Sequence, residues 1–333
     1  MPRPWQTKFK IEFMHIYDVF NGDADGICAL IQLRLAEPAT TKLITGVKRD
    51  ISLARQVPTT EPARVNILDI SLDKNREAVD MLLAACSSVF YVDHHYPGEQ
   101  LPQAEGFTAL IDTHATICTA LLMDQYLEGR FHHWAITAAF GDNLGAVGEE
   151  LAQKAGLSAE QTEALRVLGV CINYNGYGSS TEDLRFHPAD LYREFLAFAN
   201  PLDLIASQSV ALQKLLDGYK ADITKGLSAP VREETATSLV VKLPDEPWAR
   251  RVSGVLGSEL ANRNPDKACG IVTENADSSY LVSIRAPLNN RTGADEVARE
   301  FPTGGGRKAA AGINELPANQ LEAFLGAMAS FWN

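Results

Sequence analysis

Asp93, His94 and His95 follow one another directly after the apolar run at residues 89–92. A carboxylate and two imidazoles can bind a metal ion or move protons, and open α/β sheets bind ligands at the carboxyl ends of their strands. A strand that ends in an ordinary polar loop could carry the same three residues. The rest of the sequence therefore decides whether this triplet is a site.

Four further acids follow other predicted strands or helices: Asp23, Asp25, Asp69 and Asp142. Each one alone is explained equally well as a helix N-cap or a turn former. Carboxylates gathered at one edge would repel one another and raise their own pKa values, and a divalent cation removes that cost. Oxygen ligands together with an imidazole suit manganese or magnesium. The sequence thus predicts a metal centre built from these acids and His94.

The elements that must position these residues alternate between strand and helix. Apolar runs predict strands at 15–20, 42–47, 65–70, 89–92 and 107–111, with helical patterns at 27–36 and 73–85. This alternation is typical of a parallel sheet with crossover helices. Parallel strands place their carboxyl ends at one edge, so the acids should converge in a single crevice.

The predicted fold class is α/β, with an N-terminal parallel-sheet domain, a helical connector and a smaller C-terminal α/β domain. We place the metal-binding catalytic domain at residues 1–148, the helical connector at 149–229 and a substrate-binding domain at 230–333. A polar stretch rich in Pro, Gly and charge near 226–234 marks the second boundary. In the last domain, strands are predicted at 238–243, 269–273 and 280–284.

The composition is that of an ordinary globular protein, with 46% hydrophobic and 22% charged residues among 333. The net charge of −12 argues against a broad basic surface for duplex DNA. Five cysteines without a Cys-x-x-Cys pair fit reduced thiols and give neither a zinc cage nor a disulfide framework. Residues 1–14 lack the apolar segment of a signal peptide, and no stretch is long enough to span a bilayer. We therefore expect a cytoplasmic protein without a membrane partner.

The motifs, in this order, resemble those of the DHH phosphoesterase superfamily. They are Asn-Gly-Asp-Ala-Asp-Gly at 21–26, Asp69, Asp-His-His at 93–95 and Asp142. Val-Ser-Ile-Arg at 282–285, followed by the glycine-rich segment at 304–312, resembles the DHH-associated C-terminal domain. The resemblance implies a two-metal phosphoesterase, usually manganese-dependent, related to RecJ-like exonucleases, nanoRNase-like oligoribonucleases and exopolyphosphatases.

The resemblance also implies a role for each matching residue. Asp23 and Asp69 would hold one metal ion. The other ion would be held by Asp25, Asp69, His94 and Asp142, with Asp69 bridging the two. His95 and Asp93 would be the catalytic pair, with Asp93 orienting its neighbours and His95 facing the substrate phosphate as a donor or proton carrier. The implied substrate-binding residues are Arg285, Gly304, Gly305, Gly306, Arg307 and Lys308.

Two residues depart from the family pattern. Asn21 stands where an acid or histidine is expected, and this neutral amide can ligate a metal or orient a water while contributing less charge. Arg307 stands where the glycine motif usually carries a histidine. Successive glycine amides could still form an anion nest, and a guanidinium can bind phosphate through two hydrogen bonds. These residues therefore predict retained phosphate binding with an altered fit.

We expect a hydrolase that cleaves a phosphoester or phosphoanhydride bond with a water activated by two divalent cations, manganese first and magnesium as the alternative. The substrate would be a small phosphorylated molecule: a short oligonucleotide, a nucleotide bisphosphate, a cyclic dinucleotide or polyphosphate. Two alternatives stay open. One is a non-catalytic nucleotide or phosphate sensor on the same fold, and the other is a RecJ-like single-strand exonuclease, which the first motif suggests. Formation of a homodimer also stays open.

Overall fold

The computed structural model describes residues 15–333. The expectation that residues 1–14 form no signal peptide, and the start of the domain placed at 1–148, therefore lie outside the described residues. Within 15–333, no helix combines the length and the apolar composition that crossing a membrane requires.

The secondary structure follows the predicted alternation. The N-terminal lobe contains β1 (His15–Phe20), α1 (Ala24–Ala36), β2 (Lys42–Ile44), β3 (Ala63–Leu68), α2 (Leu72–Ala84), β4 (Ser88–Asp93), β5 (Phe107–Ile111), α3 (Thr119–Tyr126) and α4 (His132–Gly141). The middle segment contains α5 (Gly145–Lys154), α6 (Ala159–Asn175), α7 (Pro188–Phe195), α8 (Pro201–Ser207) and α9 (Val210–Leu227). The C-terminal lobe contains β6 (Val231–Glu234), β7 (Ser238–Leu243), α10 (Pro247–Arg263), β8 (Ala268–Glu274), β9 (Tyr280–Arg285), α11 (Ala294–Arg299), β10 (Gly304–Arg307), β11 (Ala310–Leu316) and α12 (Leu321–Phe331). The predicted α/β class is confirmed.

The first sheet is parallel throughout, in the order β2-β1-β3-β4-β5. Val19, Ile67 and Val92 on its central strands are completely buried, as expected for a parallel sheet covered by helices. The strand order reverses between β1 and β3, and sheets of this order bind ligands beyond the carboxyl ends at that point. The topology therefore places the loops after β1 and β3, which carry Asp23 and Asp69, on either side of the switch point.

The second sheet is mixed, in the order β10-β11-β9-β8-β7-β6, and β7 and β8 are its parallel pair. Its two faces bury different clusters: Leu239 and Val241 pack with α10, whereas Val240 packs with α12. The sequence did not predict β6, β10 or β11. Their polar or glycine-rich segments lack apolar alternation, and each becomes a strand because a neighbouring strand supplies its backbone hydrogen bonds.

The C-terminal lobe is fixed to the helical middle segment by buried contacts. Asp222 of α9 accepts hydrogen bonds from Arg185 Nη2 at 2.8 Å, Arg251 Nε at 2.8 Å and the Tyr174 hydroxyl at 2.5 Å. The largest apolar cluster also runs from α1 through α6 and α9 into α10. The two lobes are thus joined by a continuous core, which sets the geometry of the cleft between them.

Candidate metal centre

Asp23 is the N-cap of α1. Its Oδ1 accepts hydrogen bonds from the amides of Asp25 at 3.0 Å and Gly26 at 3.2 Å, which satisfies two of the free donors at the helix start. Gly26 is needed here because a Cβ would lie 2.3 Å from the Asn21 carbonyl oxygen. The cap function therefore holds the Asp23 carboxylate at the carboxyl edge of the sheet.

Asp25 lies in the first turn of α1 and is almost completely buried. Its two oxygens accept hydrogen bonds from the amides of Thr119 and Ala120, each at 2.7 Å, at the start of α3. Burial is the largest influence on the pKa of Asp25 and raises it, and the charges of Asp142 and Asp23 raise it further. The two charge-assisted hydrogen bonds and the positive end of α3 stabilise the carboxylate in this buried position.

Asp69 follows β3 in the left-handed backbone region, with φ of 60°. This conformation costs a residue other than glycine about 1 kcal/mol. The carboxyl group of Asp69 is buried, and its Oδ1 accepts a hydrogen bond from the Thr119 hydroxyl at 3.2 Å. Burial, and then the charges of Asp25 and Asp23, raise the pKa of Asp69 well above its usual range. Backbone strain together with clustered like charge is typical of a functional site.

His94 presents one ring nitrogen to these acids. Its Nδ1 lies 2.8 Å from the Ile117 carbonyl oxygen, which can only accept, so Nδ1 carries the proton and Nε2 keeps a lone pair in the neutral ring. That Nε2 lies 3.6 Å from Asp69 Oδ1, 3.8 Å from Asp25 Oδ2 and 3.9 Å from Asp142 Oδ2. A backbone acceptor that fixes the histidine tautomer in this way is common among metal ligands.

The spacing of these groups fits a divalent cation. Asp25, His94 and Asp142 each offer a ligand atom within 4.8 Å of the others, and so do Asp69, His94 and His95. Two atoms that bind one ion at about 2.1 Å lie roughly 3–4.2 Å apart. The buried Oδ2 of Asp142 has no hydrogen-bond partner among residues 15–333, a deficit that a bound cation would correct. Carboxylate oxygens with one imidazole are also the donors that manganese and magnesium accept.

His95 is paired most closely with Asp93, and its Nδ1 lies farther from the acids around His94, at 3.9 Å from Asp69 Oδ1. Its Nδ1 lies 2.7 Å from Asp93 Oδ1, and Asp93 is completely buried whereas the His95 side chain is 41% exposed. Burial lowers the pKa of His95, but the hydrogen bond and charge of Asp93 outweigh this and raise the pKa above its usual value. With Nδ1 occupied, the Nε2–H of the imidazolium is the donor left for another group.

Lys48 lies outside the family motifs, and the structure places its side chain inside the crevice. Its Nζ forms an ion pair with Asp23 Oδ2, lies 3.7 Å from Asp142 Oδ1 and donates a hydrogen bond to Asn173 Oδ1 at 3.1 Å. Burial alone would raise the pKa of Asp23, but the charge and hydrogen bond of Lys48 lower it to about 2. The sequence contained only a weak signal for this role, a Lys-Arg pair after a short strand. The contact with Asn173 joins residues 125 positions apart and so leaves no local pattern.

Asn21 links two loops of the crevice. Its Nδ2 donates to the Lys48 carbonyl oxygen at 3.2 Å, and its buried Oδ1 has no partner within the described part of the chain. The amide therefore helps to dock the loop after β2 against the loop after β1, with one buried oxygen left to accept a further donor or bind a cation.

The C-terminal lobe presents a polar cleft of about 310 Å³ to the N-terminal lobe. It is lined by Arg49 on one side and by Ser283, Gly304, Gly305, Gly312 and Asn314, among others, on the other. The glycines of the predicted nest form the edge strand β10, which pairs with β11. Glycine is required in this hairpin, since Gly306 has φ of 146° and a Cβ on Gly304 would lie 1.7 Å from the Ala298 carbonyl oxygen.

The predicted substrate-binding cations divide into two kinds. Arg307 is exposed, and its positive charge lowers the pKa of His95. Neither Arg307 nor Lys308 has a side-chain hydrogen bond or ion pair within residues 15–333. Arg285 instead donates hydrogen bonds to Ser258, Ser283 and the backbone of Ile284 and Gly254. Most of its donors are thus used inside its own lobe.

Solved structures with a similar fold cover almost the whole chain. Similar structures include the DHH domain of a member of a ribosomal protein family (TM-score 0.64, 15% identity, 96% of this chain and 86% of that chain). They also include exonuclease RecJ bound to manganese (TM-score 0.58, 17% identity, 96% and 90%) and the pGpG-specific phosphodiesterase PggH from Vibrio cholerae (TM-score 0.55, 14% identity, 96% and 99%). No protein-family model and no curated protein matches the sequence.

Proposed function

The chain has the fold of the DHH superfamily, and we propose that it is a metal-dependent phosphoesterase that hydrolyses a small phosphorylated substrate. The observation that carries the proposal is the arrangement around His94. Its Nε2 faces three carboxylates at 3.6–3.9 Å, while Ile117 fixes the tautomer that leaves this nitrogen free to bind a metal. Two of the similar structures are an exonuclease and a phosphodiesterase, which supports the same class of reaction.

The metal would be held by Asp25, Asp69, His94 and Asp142. Manganese is the ion we propose. Such a cation, when bound, polarises a phosphoryl oxygen and lowers the pKa of a bound water. Asp25 is held for this role by two amide hydrogen bonds, and His94 by the Ile117 carbonyl. The acids also make the crevice strongly negative, so a phosphate would be repelled without the cation.

The proton carrier would be His95. Asp93 fixes its Nδ1–H and favours the imidazolium, so the remaining Nε2–H can donate to a phosphate oxygen or to the leaving group. Arg307 would bind the substrate phosphate from the other lobe, because its guanidinium is exposed and unpaired among the described residues and its charge acts on His95. Arg49, on the opposite wall of the cleft, would bind a second phosphate or a terminal phosphate.

The size of the cleft and the net charge of the protein support a small substrate. A volume of about 310 Å³ lies at the lower end of the range for small-molecule sites and suits a nucleotide or the end of a short oligonucleotide. The net charge of −12 disfavours a long polyanion. We therefore place linear dinucleotides and nucleotide bisphosphates ahead of long single-stranded DNA as substrates.

A hydrolysis screen with manganese tests this proposal. Purified protein is assayed against a nucleotide bisphosphate, linear and cyclic dinucleotides, short RNA, single-stranded DNA and polyphosphate. His94→Ala should abolish turnover, while His132→Ala serves as the matched control because His132 pairs with Asp124 in an unrelated contact at 2.7 Å. Equal activity of wild type and His94→Ala on every hydrolysed substrate would contradict the proposed mechanism.

A second candidate function is a non-catalytic sensor of a nucleotide or phosphate. The observation that favours it is the ion pair of Lys48 with Asp23, because an ammonium supplies positive charge for ligand binding without activating a water. Saturable binding of a dinucleotide with no product after prolonged incubation in manganese would favour the sensor over the enzyme.

A further inference from the structure

Lys48 is held in the acidic crevice by its backbone as well as by its side chain. Its amide donates to the Gly176 carbonyl oxygen at 2.7 Å, and its own carbonyl accepts from Asn21 Nδ2 at 3.2 Å. The ammonium lies 5.7 Å from the centre of the Tyr177 ring, and only 26% of the side chain is exposed. A lysine fixed at both ends in this way has a built position, unlike a surface lysine that can turn to solvent.

The Lys48 ammonium is paired with the Asp23 oxygen that a divalent cation at Asp23 would need as a ligand. Asp23 Oδ1 already accepts two amide hydrogen bonds, and its Oδ2 is paired with Lys48 Nζ. A carboxylate oxygen has about two lone-pair positions, so Asp23 has little left to offer a metal ion. Asn173, whose side-chain oxygen accepts from the same ammonium, completes a set of three oxygens around Nζ together with Asp23 and Asp142.

The carboxylate oxygens of Asp25, Asp69 and Asp142 that face His94 are not paired with Lys48. Asp142 directs Oδ1 towards the ammonium at 3.7 Å and keeps Oδ2 without a hydrogen-bond partner within residues 15–333. A divalent ion placed beside the ammonium at Asp23 would be repelled by it, whereas an ion on the His94 side is separated from it by the carboxylates. The two halves of the crevice therefore differ: one contains an ammonium and the other has open ligands.

We propose that the Lys48 ammonium replaces one of the two divalent cations that the family resemblance implies, so that the protein binds one metal ion per chain. This ion is held by Asp25, Asp69, His94 and Asp142, and Asp23 serves as the counter-ion of Lys48. The inference rests on the proposed metal centre but not on the substrate. It makes Lys48 a positioning and charge-compensating residue of the site.

Counting manganese in the full chain tests this inference. Metal-free wild type, Lys48→Met, Lys48→Arg and Lys42→Met are dialysed against saturating Mn²⁺, and bound metal is measured by elemental analysis and electron paramagnetic resonance. We expect one ion in wild type, with the spectrum of an isolated Mn²⁺. Lys48→Met should bind two ions that give an exchange-coupled signal, since two ions sharing such a site lie about 3.5–4 Å apart.

The remaining variants separate charge from folding. Lys48→Arg keeps the cation and should bind one ion, and Lys42→Met removes a lysine whose Nζ contacts the Tyr17 hydroxyl and should also bind one. Two coupled ions in wild type, or a single ion in a folded Lys48→Met protein, would overturn the inference and leave the proposed hydrolysis intact. If wild type binds no manganese, the inference and the metal centre are both wrong. Thermal unfolding of each metal-free variant establishes that it is folded.

Discussion

The pair formed by Asp93 and His95 gives the sharpest quantitative prediction. Asp93→Asn keeps the size of a completely buried side chain and removes its charge. A hydrogen bond to a charged group contributes about 1.5–3 kcal/mol, against about 0.5–1.5 kcal/mol for a neutral one, so the imidazolium loses about 1–1.5 kcal/mol. If that imidazolium donates a proton in the transition state, the value of kcat should fall roughly five- to twelvefold.

The same substitution should change the pH dependence. Asp93 raises the pKa of His95 above its ordinary value, through a hydrogen bond of 2.7 Å and its charge. An acid works at pH values below its pKa, so lowering that pKa moves the alkaline limb of the pH–rate profile to lower pH. We would measure kcat and kcat/KM from pH 5 to 9 in saturating manganese.

A matched control is available in the same lobe. Asp124 pairs with His132 Nδ1 at the same distance of 2.7 Å, outside the crevice, so Asp124→Asn removes an equivalent interaction without touching the site. An Asp93→Asn enzyme with an unchanged alkaline limb would refute the assigned role of His95. So would a loss in Asp124→Asn as large as that in Asp93→Asn, because the effect would then report stability and not chemistry.

Three further predictions follow from other parts of the structure. His94→Ala should lower manganese affinity by at least about tenfold in isothermal titration, because it removes a ligand whose orientation is fixed. Arg307→Ala should raise KM about tenfold or more by removing a charge-assisted phosphate contact, whereas Arg299→Ala, whose guanidinium pairs with its own helix, should leave KM unchanged. Asp222→Asn should lower the free energy of unfolding at pH 7 by about 3 kcal/mol in urea titrations, since Arg251 loses its buried counter-ion. Burial raises the pKa of Asp222, but the Tyr174 and arginine contacts outweigh it and lower the pKa, so the carboxylate stabilises the fold above its unfolded pKa. The difference between wild type and Asp222→Asn should therefore shrink as the pH falls through the folded pKa.

The sequence predicted the N-terminal sheet because the information there is local. Each strand is a short apolar run, each is followed by a polar residue or a turn, and helical patterns alternate with the runs. The prediction of acids at the carboxyl edge needed only the rule that parallel strands share an edge. The boundaries moved by a few residues, as for α1, which begins at Ala24 and not at 27, because Asp23 caps the helix.

The C-terminal sheet was predicted only in part, because edge strands depend on their partners. Gly304–Arg307 contains no apolar side chain, and its strand conformation comes from pairing with β11 and from contacts that exclude a Cβ. The expected nest of glycine amides stays a prediction: its glycines lie in the edge strand β10, and Gly304 and Gly305 line the cleft.

The sequence by itself determined the identity of the acids, their order and the edge at which they meet, since strand periodicity and chain topology encode all three. Only the tertiary structure decided how these groups are paired. Lys48, 25 residues from Asp23 and 125 from Asn173, reaches both because a loop after a three-residue strand docks against the end of α6. A pairing between residues so distant in sequence leaves no local pattern, because it is fixed by packing across the whole lobe. That packing also decides which half of the crevice contains an ammonium and which half retains open metal ligands.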